Sequence, residues 1–433
     1  MDLEYPVLKC SRTHGLWART APPAPITSVL RESVTVDVAV VGGGYTGLST
    51  ALHLGQAGTR VAVLEAAEIG FGGSGRNVGL VNAGMWVMPD VVTATLGETY
   101  GERLLELLGG APGLVFELVG RHGIECEIEH SGTLHCAVGR NGLAELEQRA
   151  AQWTERGAPV RLLNAVETAE RVGSSAYAGS LLDLRAGTIQ PLAYVRGLAR
   201  AAMKSGAQIF THSRALSATP AAGGWTIRTE GGSVRADWLV VATDAYGTGP
   251  WPQIRTEQIH LPYFNFATQP LAANLRHSIL PKLQGAWDTR QVLSSFRMDR
   301  QGRLVFGSVG ALRGSGTRVH EAWAKRALRK IFPQLDEVAF ESAWYGQIGM
   351  TDDNLPRFHK LAPNVIGFSG YNGRGIAPGT TFGRVLAEHI NGRIPESQLP
   401  LPVTPPRVPR MRRLKEAFYE IGSQIAHITD ARN

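Results

Sequence analysis

Cysteine is scarce in this chain: Cys10, Cys126 and Cys136 are all it has in 433 residues, and no two form a CxxC pair. That count is too low for a disulfide framework, and the spacing excludes the common zinc and redox motifs. Long apolar runs are missing as well. No stretch of about 18 consecutive apolar residues occurs, and the opening MDLEYPVLKC carries two acids and no apolar block, so neither a membrane span nor a secretion signal is expected. These absences point to a reducing, cytoplasmic setting. Blocks of one charge sign are also lacking. The formal net charge is +7 and the pI about 9.4, yet the basic residues are spread along the chain. A scattered excess suits an enzyme with some pull on anionic small molecules better than a protein that binds nucleic acid.

What is present is an ordinary globular composition, 43% hydrophobic and 19% charged, which sets the chain apart from disordered and fibrous classes. Its length suits two domains better than one. Residues 1–35 form a proline-bearing leader (APPAPITSV) without usable periodicity and read as an extension. From Val36 the pattern sharpens. VDVAVV is a β-branched run of the kind buried on both faces of a parallel sheet, and GGGYTGLSTALHLGQAG is a glycine turn feeding a helix packed through Leu48, Ala51, Leu52 and Leu54. RVAVLEA follows as a second strand, completing a βαβ unit.

Gly42, Gly44 and Gly47 are spaced as GxGxxG between that strand and helix, with Tyr45 and Thr46 opening the helix. The first glycine permits a tight turn, the second lets a pyrophosphate approach the backbone, and the third allows close helix-to-strand packing. Glu65, followed by Ala66, ends the second strand 18 residues after Gly47, where a carboxylate accepts a hydrogen bond from a ribose hydroxyl. A phosphate on that hydroxyl would be repelled, which disfavours NADP. The motif alone is weak; strand, helix, second strand and acid together predict a bound dinucleotide.

Three later segments extend this reading towards a flavin. GFGGSGRNVGLVNAG (70–84) sets glycines around Ser74, Gly75, Arg76, Asn77, Val78 and Leu80, a backbone able to lie against a flat ligand with side-chain donors beside it. ADWLVVATDAYGTG ends a buried strand in Ala242, Thr243 and Asp244, and GAQIFTHSRAL supplies a parallel strand ending near Ala215; both ends face the crevice where open α/β sheets bind ligands. NVIGFSGYNGRGIAPGTTFGRVLAEHI is a strand, a loop through Gly370, Gly373, Arg374, Gly375 and Ile376, and a helix expected from about Gly379. The positive end of that helix dipole suits negative charge on a reduced isoalloxazine.

With these segments in order, the chain from Val36 to Gly392 resembles the D-amino-acid oxidase-like FAD-dependent oxidoreductases. LLDLRAGTIQPLAYVRGLARAA, GAQIFTHSRAL, VVATDAY, WYGQIGMTDDNLPRF and FSGYNGRGIAPG recur there in this order, and FGGSGRNVGL with DTRQVLSSFRMDRQGRLVFGSVG is most like the gamma-glutamylputrescine oxidase group. The resemblance implies an α/β (α+β overall) fold, a Rossmann-like FAD-binding domain interleaved with an antiparallel-sheet substrate domain. The expected division is 36–85, 186–250 and 345–395 for FAD, 86–185 and 251–344 for substrate, and 396–433 for a tail helix. It also implies FAD contacts from Gly42, Gly44, Tyr45, Thr46, Gly47, Glu65, Ala66, Ser74, Gly75, Arg76, Asn77, Val78, Leu80, Ala215, Ala242, Thr243, Gly373, Arg374, Gly375 and Ile376. Val78 departs from the glycine more frequent in the group. Within the substrate domain, IECEIEHSGTLHCAV reads as two strands joined near Ser131 and Gly132, and IHLPYFNFATQPL and GRLVFGSVG as further strands.

The implied activity is oxidation of an amine or amino-acid-type substrate, with hydride passing to flavin N5 and the imine then hydrolysed. Four residues are expected to position the reactants: Arg297 for a substrate carboxylate, Tyr263 and Trp344 as walls, and Arg374 near the flavin. Sarcosine oxidases of this fold hold FAD through a cysteine in the segment matching WYGQIGMT; Ile348 stands near that place, so FAD is expected to be noncovalent. They also use a lysine above the flavin for reaction with oxygen, and no lysine lies between Lys282 and Lys325, which leaves the electron acceptor open. Two other classes stay in view: a flavin oxidase of a modified tRNA base, against which stands the lack of a clustered aromatic and lysine surface, and a flavin-binding protein without turnover. In the tail, Leu414, Ala417, Phe418, Ile421, Ile425 and Ile428 recur at helical spacing after Arg412, Arg413 and Lys415. This stripe is expected to pack against the body, with a membrane-surface helix as the alternative.

Overall fold

The computed structural model describes residues 14–335, 337 and 339–429. Two eight-stranded sheets organise it. The first has the order Arg357–Ala362, Val365–Ser369, Ser233–Val241, Ser33–Val41, Val61–Leu64, Gln208–Phe210, with the hairpin Ser217–Ala221 and Gly224–Arg228 paired onto Ser233–Val241. Its four central pairings are parallel. Ser33–Val41 lies in the middle, and its last four residues, Val38 to Val41, are buried, as a β-branched run between two covered faces must be.

The second sheet runs Phe340–Met350, Ile259–Thr268, Leu304–Val309, Ser294–Met298, Gly285–Asp288, Thr133–Ala137, Gly179–Asp183, Val160–Asn164. All its pairings are antiparallel except that of Gly285–Asp288 with Thr133–Ala137. Three sequence expectations change here. The stretch 124–137 forms one strand, Thr133–Ala137, and not two. The segment before it turns away through Glu127, whose φ is positive, and Glu129 makes only an isolated bridge to Thr188. The strand Phe340–Met350 runs unbroken across the expected 344/345 boundary and pairs along its length with Ile259–Thr268. The last helix of the first sheet begins at Ile376, three residues before the expected start.

The helices Tyr45–Gln56 and Ile376–Ile390 pack closely against each other on one face of the first sheet. A Cβ on Gly383 would lie 2.6 Å from Ser49 Cβ, so a glycine there sets the approach of the two helices. Ser49 Oγ donates to Thr380 O at 2.6 Å across the same contact.

The leader is more than an appended segment. In its described part, the short helix Leu16–Thr20 drives Leu16 and Trp17 fully into the core. Trp17 Nε1 donates to Asn77 O at 2.9 Å, its ring meets Trp344 edge-on at 5.4 Å, and Gln190 Nε2 donates to Trp17 O at 3.1 Å. Further along, Leu30 N donates to Ser213 Oγ.

The tail helix Arg412–Thr429 docks by its polar face, opposite to expectation. Ser423 and His427 are buried, with the His427 ring stacked on Trp323 at 3.7 Å and its Nδ1 2.7 Å from His320 Nδ1. Leu414, Phe418, Ile421, Ile425 and Ile428 face outward. The body offers this helix rings and donors: His260 pairs with Glu416 and Arg313 with Glu420.

Two outcomes follow. Trp17→Ala removes a fully buried ring far from the first sheet's glycine turn and is expected to cost about 3–5 kcal/mol in urea denaturation. Burial lowers His320 from 6.5 to about 4. Above pH 6.5 the ring is neutral folded or unfolded; as pH falls from 6.5 to 4 only the unfolded chain takes up the proton, so stability declines through that window. His320→Asn is expected to flatten this decline in melting temperature measured against pH.

Candidate active site

A cavity of about 660 Å³ is walled by residues of both sheets, within the size range of small-molecule sites. At one end stands the glycine turn. Gly42 has φ +114°, and a Cβ there would lie 2.5 Å from Ala242 O; a Cβ on Gly47 would lie 2.0 Å from Gly42 O. These two glycines hold strand, turn and helix in contact. Gly44 differs: its Cβ would meet only Ser74, with Oγ at 2.9 Å, and it borders the cavity.

Glu65 closes the neighbouring strand. Its Oε2 accepts from Gly43 N at 2.7 Å and its Oε1 from Ala67 N at 2.9 Å. Burial raises its pKa, and the backbone donors at Ala67 and Gly43 hold it down. Each oxygen keeps a second acceptor position for a hydroxyl. Ser74 Oγ accepts from Tyr45 N at 3.1 Å, and Tyr45 Oη donates to Ser74 O at 2.6 Å, so the second glycine segment is stitched to the helix start. Asn77 Oδ1 accepts from Gly79 N, turning that segment back towards the sheet.

Both cofactor-side helices start on a glycine cap, and among the described residues only Tyr45 N of the first is taken by a side chain, Ser74 Oγ. Gly44 and Gly375 are the caps of Tyr45–Gln56 and Ile376–Ile390, neither has a side-chain cap, and both border the cavity. First-turn N–H groups and two positive dipole ends are therefore offered to one ligand. Thr46 Oγ1 and Tyr371 Oη, 2.5 Å apart, tie the two helix starts together. Arg76 Nε and Gln347 Oε1 are buried at the cavity wall with no hydrogen-bond partner among the described residues. Arg76 and Gln347 would be free to bond a long, flat ligand whose phosphates lie at the glycine turn, a shape that FAD has.

Most of the expected contacts line this cavity: Gly42, Gly44, Tyr45, Thr46, Glu65, Ala66, Ser74, Arg76, Asn77, Val78, Leu80, Ala215, Ala242, Thr243, Gly373, Gly375 and Ile376. Gly47, Gly75 and Arg374 do not. Gly47 packs against the turn, and a Cβ on Gly75 would meet Gly70 O at 2.3 Å, so both shape the backbone behind the wall.

The substrate-side expectations need more correction. Tyr263 lines the cavity, its hydroxyl 2.7 Å from Ser295 Oγ, and burial raises its pKa. Trp344 is buried behind Arg76, donating Nε1 to Arg76 O at 3.0 Å. Arg297 shares a strand with Ser295 but lies past the end of the cavity. It is 1% exposed, its Nη1 donates to Ile189 O, its Nε donates to Met298 O at 3.3 Å, and Glu127 Oε2 is 3.7 Å from Nη2. With Trp17 over it at 5.5 Å, that guanidinium is a core group and not a substrate anchor. Arg374 lies behind two tryptophans, 4.7 Å from the Trp86 ring and 5.4 Å from that of Trp287, with Nη1 donating to Ala83 O. Burial and then the like charge of Arg149 lower its pKa to about 9.

The chamber beside Gly373 is built from residues the sequence did not single out. Trp86, His135, Arg149 and Trp287 line it. His135 stacks on Trp287 at 4.9 Å, and burial, with Arg149 and Arg374 nearby, drives its pKa well below 6.5, leaving a neutral ring whose Nδ1 has no partner among the described residues. Arg149 Nη2 donates to Trp86 O at 2.7 Å and to Glu145 Oε1 at 3.3 Å. Their nearest sequence signal was the GTLHCAV strand, which placed His135 without showing its face.

The family described as FAD dependent oxidoreductase (DAO) matches residues 37–389. The chain belongs to this family. FAD is accordingly its cofactor, and the protein is an FAD-dependent oxidoreductase. The gamma-glutamylputrescine oxidoreductase of Escherichia coli is 33% identical over 88% of this chain and 89% of its own. A probable oxidoreductase, OrdL, of Rhizobium meliloti is 31% identical over 94% of each. The crystal structure of glycine oxidase from Geobacillus kaustophilus superposes with a TM-score of 0.69 at 20% identity, covering 87% of this chain and 99% of that one.

The glycines separate into two kinds by substitution. Gly44→Val meets only the Ser74 side chain, at a permitted φ of −93°, and is expected to yield folded protein with little bound flavin. Gly47→Ala drives a methyl into Gly42 O and is expected to fail in folding itself. Far-ultraviolet circular dichroism with the flavin-to-protein absorbance ratio distinguishes them.

Proposed function

We propose that the enzyme oxidises the carbon–nitrogen bond of an amine or amino-acid-type substrate that carries a carboxylate. The observation that carries this reading is Arg149, a buried guanidinium at the cavity wall whose Nε has no hydrogen-bond partner among the described residues. It takes the part expected of Arg297. A carboxylate set against it gains charge-assisted hydrogen bonds in a dry chamber. The names of the Escherichia coli and Geobacillus relatives, an oxidoreductase of gamma-glutamylputrescine and a glycine oxidase, support an amine or amino acid.

The chain's own residues supply orientation and dryness. Trp86 and Trp287 wall the chamber with apolar surface, and Tyr263 closes it from the second sheet. The cations Arg149 and Arg374 and the low-dielectric walls disfavour an ammonium group, so the substrate is held with its nitrogen lone pair free. His135, neutral and with Nδ1 open, is placed to share a hydrogen bond with that nitrogen or with water. FAD when bound accepts a hydride from the carbon beside nitrogen, and the resulting imine is hydrolysed by water.

The FAD is held without a covalent link: among the described residues Cys126 and Cys136 are buried away from the cavity, and Ile348 stands in its wall. Acid precipitation is expected to release all the flavin into the supernatant; flavin left on the pellet overturns this. The substrate reading is tested by anaerobic stopped-flow reduction with paired amines differing only in a carboxylate. Arg149→Lys is expected to raise the dissociation constant of the carboxylated amine at least tenfold while changing that of its uncarboxylated partner little. An equal effect on both would confine Arg149 to holding Trp86.

A further inference from the structure

The outward face of the tail helix is the largest unused feature of the surface. Leu414, Phe418, Ile421, Ile425 and Ile428 are between 56 and 72% exposed, while the opposite face is fixed to the body through Ser423 and His427. At 3.6 residues per turn these five fall within a stripe about 80° wide, pointing directly away from the protein. A soluble protein seldom shows such a row without a use for it.

Charge decides what covers it. Arg413 and Lys415 stand about 100° to either side of Leu414, flanking the stripe beyond its two edges, and both are exposed, as are Arg407 and Arg410 on the approach. The two acids of the described tail from 405 onward face the body instead: Glu416 is paired with His260 and Arg412, and Glu420 with Arg313. The stripe is thus flanked by unopposed cations, the arrangement of a helix that lies in the plane of an anionic lipid surface. A second copy of the chain is a poorer cover. Five such side chains offer on the order of 500 Å² together, short of the roughly 800 Å² per partner that a stable interface needs.

We infer that the tail helix Arg412–Thr429 beds its apolar face into an anionic membrane surface, with Arg413 and Lys415 reaching the headgroups on either side. The helix is already folded and docked, so binding orders nothing new. Tyr419, on the flank of the same helix, lines the cavity, which sets the cavity close to that surface.

The test is co-sedimentation of the FAD-loaded full chain with vesicles of phosphatidylglycerol and phosphatidylcholine in equal parts, against vesicles of phosphatidylcholine alone. Binding to the anionic vesicles, weakened by salt, is expected. Phe418→Asp with Ile425→Asp should raise the half-saturating lipid concentration at least tenfold, with flavin content and melting temperature unchanged. Arg413→Glu with Lys415→Glu leaves the apolar stripe intact and should weaken binding to anionic vesicles at least about 25-fold, at about fivefold for each of the two cations lost. Wild-type protein that stays in the supernatant, or charge-reversed protein that sediments as well as wild type, overturns the inference. So does a lipid-free dimer that the double aspartate substitution takes apart, because it assigns the stripe to a second copy.

Discussion

The structure depends on one close approach of backbone to backbone. At Gly42 the central strand of the first sheet ends within 2.5 Å, measured from an imagined Cβ, of the Ala242 carbonyl on the neighbouring strand; at Gly47 the helix sits 2.0 Å from the Gly42 carbonyl by the same measure. No side chain fits at either point. The helix start is thereby pressed to the strand ends, and every group that borders the glycine turn inherits its place: Ser74 on Tyr45 N, Glu65 on Gly43 N, Tyr371 on Thr46. Because Thr46 and Ser49 in turn hold the helix Ile376–Ile390, the second dipole end is positioned by the first.

The cavity divides its labour between backbone and side chains along its length. At the glycine end the recognising groups are amides, which carry no net charge and cannot be titrated away. At the far end they are buried cations among tryptophan faces, with a histidine kept neutral by burial first and by the same cations second. The field in that chamber is positive, which suits an anionic substrate group and an uncharged nitrogen. Glu145 offsets part of that charge from the rim, where it pairs with Arg149.

The cofactor side was legible in the sequence because it is local: strand, turn, helix and acid lie within thirty residues, and each glycine has a steric reason visible in its spacing. The substrate side was not, because its members come from a loop, a helix and two strands and share no period. Arg297 illustrates the difference. The sequence offered Arg297 as a cation in the substrate domain, but not that Trp17 from the leader closes over it. The leader itself lacked periodicity and so concealed the fully buried Leu16, Trp17 and Leu30. In the tail, the helical spacing of the apolar residues was right, yet periodicity tells which residues share a face and never which way that face looks; the polar contacts of His427 and Glu416 decided it.

The threading of the leader has a consequence for the order of events during synthesis. Trp17 is made before every member of its seat, which is assembled from Asn77, Gln190 and Trp344. The glycine turn and its helix can form early from neighbouring residues. Trp17 must wait, unshielded, until a strand made more than three hundred residues later arrives beneath it. Trp17 is thus locked only once Trp344 has been made, and an indole in a buried or an open setting reports by its fluorescence whether that closure has occurred.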